Sequence, residues 1–247
     1  MTGSHSHSFS YHDLLEACTQ PGCPICSLSD RSARRYLEAL FYEYVNDAGV
    51  RDDLLKSRGF CREHAALLLG TRIADSLGAS ILYEHITRHT LQEVQNLLQS
   101  LSAPSFTRNL LKELARRFQH LVRVSQRRGQ CPVCKQSQAA SERILGDLSQ
   151  SLEDETLRQA LEASDGLCFP HLAQLVKYLP DIDSVRFLLH LTQARLEANR
   201  ARMSELIRKH DYRFQAEGIT LEEAQAWKKA MCMISGANFS TGEGNES

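Results

Sequence analysis

Cys23-Pro24-Ile25-Cys26 and Gly59-Phe60-Cys61-Arg62-Glu63-His64 are answered further along the chain by Cys131-Pro132-Val133-Cys134 and Gly166-Leu167-Cys168-Phe169-Pro170-His171. The spacings are C-x2-C-x34-C-x2-H and C-x2-C-x33-C-x2-H, and they use six of the eight cysteines. Cys-x2-Cys and Cys-x2-His each bring two donors close enough to share one ion. Two such pairs make a Cys3His set, a closed zinc arrangement. A single CxxC is common in buried or disulfide-forming cysteines. A doubled four-ligand pattern with the same proline and glycine punctuation is not.

The candidate ligands are therefore Cys23, Cys26, Cys61 and His64 in one copy, and Cys131, Cys134, Cys168 and His171 in the other. Each must bind as a thiolate or a neutral imidazole. Each CxxC precedes an expected helix, whose partial positive charge favours thiolate. The near-equal spacing favours a self-contained site in each copy. The alternative weighed is exchange, with Cys23 and Cys26 sharing an ion with Cys168 and His171. The ligand types favour zinc, two ions per chain, with an iron–sulfur cluster as the rival. Four protein ligands leave no open position for water, which marks a structural rather than a hydrolytic site.

Around these motifs the chain reads as all-α. Apolar residues recur at spacings of three and four over 28–47, 80–100, 105–124 and 184–208. Shorter helices are expected at 11–18, 50–57, 62–69, 153–163 and 169–178. Thr220-Leu221-Glu222-Glu223 is a capping box opening a last helix over 221–234. The expected organisation is a first helical metal-binding repeat (10–104), a basic connecting helix (105–130), a second repeat (131–210), a C-terminal helix (211–235) and a loose polar tail (236–247). Arg51 and Leu54 correspond to Arg158 and Leu161 by position from the histidines.

Composition sets outer limits. With 42% hydrophobic and 24% charged residues the chain has the balance of a folded globular protein. No apolar run is long enough to span a membrane, and the first residues do not read as a secretory signal. The expected location is the cytoplasm, where paired cysteines hold metal more often than disulfides. A net charge of −1 gives no overall attraction to nucleic acid or anionic lipid. Residues 108–128 are locally basic and 142–165 locally acidic. The two nearly cancel, which favours internal or protein–protein pairing over a phosphate backbone.

Other candidates are weaker. His85 and His89 share a helix face near Glu84 and Glu93, but periodicity already explains them. His5, His7 and His12 belong to a terminal tract. Cys232 reads as core, and Cys18 fits no ligand spacing. No nucleophile elbow, phosphate loop or zinc-hydrolase motif appears, so no catalytic residues are assigned.

The paired Cys-Pro-x-Cys and Gly-Phe/Leu-Cys-x-x-His motifs resemble those of a family of uncharacterised bacterial proteins, known as a domain of unknown function. His210-Asp211-Tyr212-Arg213-Phe214 and Ala226-Trp227-Lys228-Lys229-Ala230 are similar to that family's closing part. The resemblance implies a bacterial cytosolic protein with two metal sites and brings no activity. The functional expectation is a zinc-stabilised interaction or adaptor protein whose partner is another protein. A redox protein using the same Cys3His sets and a nucleic-acid regulator using residues 108–128 are the alternatives.

Overall fold

The computed structural model describes residues 11–101, 112, 115–116, 119 and 131–237. Among them lie ten α-helices: α1 (Tyr11–Cys18), α2 (Pro24–Ala39), α3 (Ala48–Ser57), α4 (Arg62–Leu69), α5 (Ser76–Leu101), α6 (Pro132–Ser151), α7 (Glu155–Ala163), α8 (Phe169–Leu175), α9 (Ile182–Lys209) and α10 (Leu221–Ser235). A π-helical turn over Leu40–Tyr44 extends α2. The all-α expectation is met, and no strand occurs among the described residues. No described helix is long and apolar enough to cross a membrane. The basic segment 105–130 lies outside the described residues apart from four helical positions, as do His5, His7 and the tail beyond Ala237.

The chain forms two compact units, residues 1–30 with 140–247, and residues 31–139. These units do not follow the order of the motifs. Each contains the CPxC of one copy and the CxxH of the other.

In the first unit, Ile25 and Leu28 at the start of α2 share a core with Ile144, Leu145 and Leu148 of α6 and with Leu161 of α7. Each is within 1% of complete burial, and one such aliphatic side chain contributes ~2 kcal/mol. In the second unit, Leu37 of α2 and Leu40 of the π turn share a core with Val133 of α6, Leu54 of α3 and Leu82 of α5.

The helix starts are specified locally. Asp47 caps α3 by accepting from the Val50 amide, and Asp154 caps α7 by accepting from the Leu157 amide, both at 2.9 Å. Such a cap is worth ~1 kcal/mol. Leu54 and Leu161 fill matching buried positions on these helices, and Ser57 and Ser164 follow as matching buried serines. The chain then turns at Gly59 (φ 90°) and Gly166 (φ 83°) into the CxxH segments. Those angles lie where a side chain is strained, which explains glycine at both places. The capping box at α10 forms as expected: Thr220 Oγ1 accepts from the Glu223 amide, and the Glu223 carboxylate accepts from the Thr220 amide.

Candidate metal centres

Four cysteines stand immediately before helices: Cys23 before α2, Cys61 before α4, Cys131 before α6 and Cys168 before α8. In every case the cysteine carbonyl accepts the helix's first hydrogen bond, from Ser27, Ala65, Lys135 and Leu172 respectively, at 2.8–3.1 Å. They are N-cap residues. The second member of each pair, Cys26, His64, Cys134 or His171, is then the third helical residue. In the first turn these two positions lie close together, as a capping box shows. C-x2-C and C-x2-H are therefore helix-start motifs that aim two donors at one point.

The structure brings the pairs together across the copies. One cluster is Cys23, Cys26, Cys168 and His171; the other is Cys61, His64, Cys131 and Cys134. Within each, the four donor atoms lie within 4.8 Å of one another. This corrects the expectation of a self-contained site in each copy and matches the exchanged alternative. Each compact unit holds one complete cluster.

The geometry fits a tetrahedral ion. Bonds of ~2.3 Å to sulfur and ~2.0 Å to nitrogen put sulfurs ~3.8 Å apart and sulfur ~3.5 Å from nitrogen. In the first cluster Cys26 and Cys168 Sγ are 3.7 Å apart. His171 Nδ1 lies 3.2, 3.3 and 3.7 Å from Cys168, Cys26 and Cys23. In the second, Cys61 and Cys134 Sγ are 3.6 Å apart, and His64 Nδ1 lies 3.2, 3.4 and 3.7 Å from Cys61, Cys134 and Cys131. Both histidines present Nδ1. All the sulfurs are buried except that of the half-buried Cys134.

The electrostatics point the same way. Burial opposes ionisation of Cys23, yet hydrogen bonds from Cys168, Cys26 and His171 hold its pKa well below the usual thiol value. Cys26 is pushed the other way by its bonds to Cys168 and Cys23. The hydrogen bond from Cys134 lowers Cys131 to about 3, while that same bond and burial raise Cys134. Burial also opposes protonation of His171, but the sulfurs of Cys168 and Cys23 overcome it and lift its pKa to about 10. These groups share protons because they cannot all ionise side by side. A divalent cation replaces those protons with one compact charge. Two helix N-termini converge on each cluster and add partial positive charge.

Several residues around the first cluster were not apparent from spacing. Ser141 Oγ lies 3.4 Å from His171 Nε2 and 2.5 Å from Ser29 Oγ, and Ser29 donates to the Ile25 carbonyl at 2.7 Å. Asp165 accepts from the Gly22 amide at 2.9 Å and from Lys229 Nζ at 2.7 Å, tying the CPxC turn to α10. Gly236, just past α10, brings its carbonyl to 3.6 Å from Cys26 Sγ. A small cleft here is lined by Gly22, Cys23, Asp165, Lys229, Cys232 and Met233. Ser29, Ser141, Asp165 and Gly236 belong to no spaced motif, so no sequence signal marked them.

His85, His89 and Cys18 lie outside the two clusters. The His85 and His89 rings stack edge to face, 5.2 Å between centroids. Their neighbouring carboxylates are engaged elsewhere, Glu84 with Arg88 and Glu93 with Arg58. They form no four-donor group among the described residues. Cys18 is a core residue of the first unit, its pKa raised to about 11 by burial and by Cys23.

The chain is 24% identical over 226 residues to an uncharacterized 23.9 kDa protein in the xynA 3′ region of Caldicellulosiruptor sp. (strain Rt8B.4), covering 90% of this chain and 99% of that one. No solved structure matches. The sequence pattern of DUF6062, a family of unknown function, matches residues 12–240, and the chain belongs to that family.

Proposed function

We propose that the protein is a structural zinc protein, two ions per chain, whose helical surface binds another protein. The observation that carries the zinc reading is the closed donor set. Each cluster supplies three sulfurs and one nitrogen at tetrahedral spacings, leaving no ligand position for water. Cys23, Cys26, Cys168 and His171 would hold one ion, and Cys61, His64, Cys131 and Cys134 the other. Zinc supplies fixed charge and geometry there, and no redox chemistry. The ions would secure a duplicated helical unit whose two copies have exchanged ligand pairs.

The partner reading rests on α10. Trp227, Met231 and Ile234 are 47%, 54% and 57% exposed at helical spacing, while Ala226 and Met233, on another face of the same helix, are buried. A contiguous apolar stripe containing tryptophan suits a protein contact. A cytoplasmic location, free of any membrane, belongs to the same proposal.

Metal analysis of protein purified without added metal tests the first part. Two zinc ions per chain, and loss of helical circular dichroism on chelation, are expected. A brown protein with iron and visible absorbance overturns it in favour of the cluster reading. A photo-crosslinking residue at position 227 tests the second part. It should give a discrete protein adduct in cells that the same residue at exposed position 193 does not, and equal labelling at both sinks the partner role.

A further inference from the structure

The two clusters have the same donors but not the same surroundings. Metal on His171 Nδ1 leaves the ring's proton on Nε2, which must then donate. Ser141 Oγ faces that nitrogen at 3.4 Å. Ser29 gives its own proton to the Ile25 carbonyl, so across the 2.5 Å contact Ser141 must donate to Ser29. Ser141 then has lone pairs left for His171. The proton directions form one consistent series: His171 Nε2–H to Ser141, Ser141 to Ser29, Ser29 to Ile25. It ends inside the Cys23–Cys26 turn, so it joins the histidine ligand to the cysteine pair of the same cluster. Both serines are buried, at 8% and 5% exposure.

The second cluster lacks this arrangement. Ser141 stands seven residues after Cys134, and the position seven residues after Cys26 is Ala33. Ala33 lies in the second unit's core with Cys61 and Cys131, and its methyl offers no acceptor. Among the described residues His64 Nε2 has no hydrogen-bond partner.

We infer that Ser141 and Ser29 are positioning residues for His171, and that they make the two metal sites unequal, the Cys23/Cys26/Cys168/His171 site releasing its ion more slowly. This rests on the metal reading above. A ligand histidine whose second nitrogen is held has one orientation and one tautomer, and removing such a holder weakens metal binding ~10–100-fold. The 3.4 Å contact is long for an N–H to oxygen bond, which places the effect near ~10-fold.

The test is zinc release from the full-length, two-zinc protein into a chromogenic chelator. Wild type should release its ions in two phases of one ion each. Cys61→Ser should lack the fast phase, and Cys168→Ser the slow one. Ser141→Ala should speed the slow phase ~10-fold and leave the fast phase alone, and Ser141→Thr, which keeps the hydroxyl, should restore it. Ser29→Ala is a second, milder variant of the same series and should speed the slow phase less. In proton NMR, a downfield Nε2–H resonance of His171 should be present in wild type and lost to exchange in Ser141→Ala. Unchanged phases in Ser141→Ala, or both phases speeded equally, overturn the inference while two bound ions leave the metal reading standing. Wild-type protein that holds no zinc overturns both.

Discussion

Pairs of cysteine substitutions distinguish exchanged from self-contained ligand sets. If the clusters are those of the structure, Cys23→Ser with Cys168→Ser removes two ligands of one ion, and one zinc per chain remains. Cys23→Ser with Cys61→Ser removes a ligand from each ion, and none remains tightly held. Self-contained sites give the opposite result: none for the first pair, one for the second. In both copies the outgoing helix is longer than the returning one, 16 against 10 residues for α2 and α3 and 20 against 9 for α6 and α7. Inductively coupled plasma analysis of the two double variants, in buffered free zinc, is the assay. Free zinc held a thousandfold above the dissociation constant makes each ion worth ~4 kcal/mol to its unit. Hydrogen exchange should therefore localise the loss, with amides of α2's first turn and α8 losing protection in the first pair while α4 and α5 keep theirs. One zinc in the Cys23/Cys61 variant, with none in the Cys23/Cys168 variant, would refute the exchanged arrangement.

Other outcomes follow from individual contacts. Cys18→Ala should keep both ions and cost ~1 kcal/mol in urea unfolding, since Cys18 is buried outside the donor sets; loss of an ion would make it a ligand. Gly236→Ala should destabilise the end of α10 by ~1–2 kcal/mol. Its φ is +73°, and a Cβ there would meet Pro170 Cγ at 3.1 Å, so an unchanged urea midpoint would contradict the structure. The hydrogen bond from Lys209 and that from the Thr220 amide hold the Glu223 carboxyl below its usual pKa. A depressed pKa stabilises above the unfolded value and is lost as pH falls through the folded one. Anchoring of α10 should therefore weaken below about pH 4, and Glu223→Gln should flatten that acid limb in a Trp227 fluorescence titration.

Much of this was legible because it is written in short-range chemistry. The capping box at Thr220, the apolar periodicity of α9 and the glycines before each CxxH are decided by a few neighbouring residues, and the structure places each as expected. The eight donors were legible for the same reason, since each pair is an N-cap and third-position pair of one helix. How the pairs combine was not, because that is set by packing between residues far apart in the chain. Near-equal spacing in the two copies argued for separate sites, but it is equally compatible with exchanged pairs, which are what the structure brings together. Ser29, Ser141 and Asp165 were hidden for a related reason. Their contacts to the first cluster join residues 112, 30 and 143 positions apart, and no local pattern sets a buried serine beside a ligand apart from any other serine on a helix. Ala33 carries the same lesson in reverse. It reads as an ordinary core residue until the second cluster is seen beside the first, where it becomes the position at which two sites with identical ligands part company.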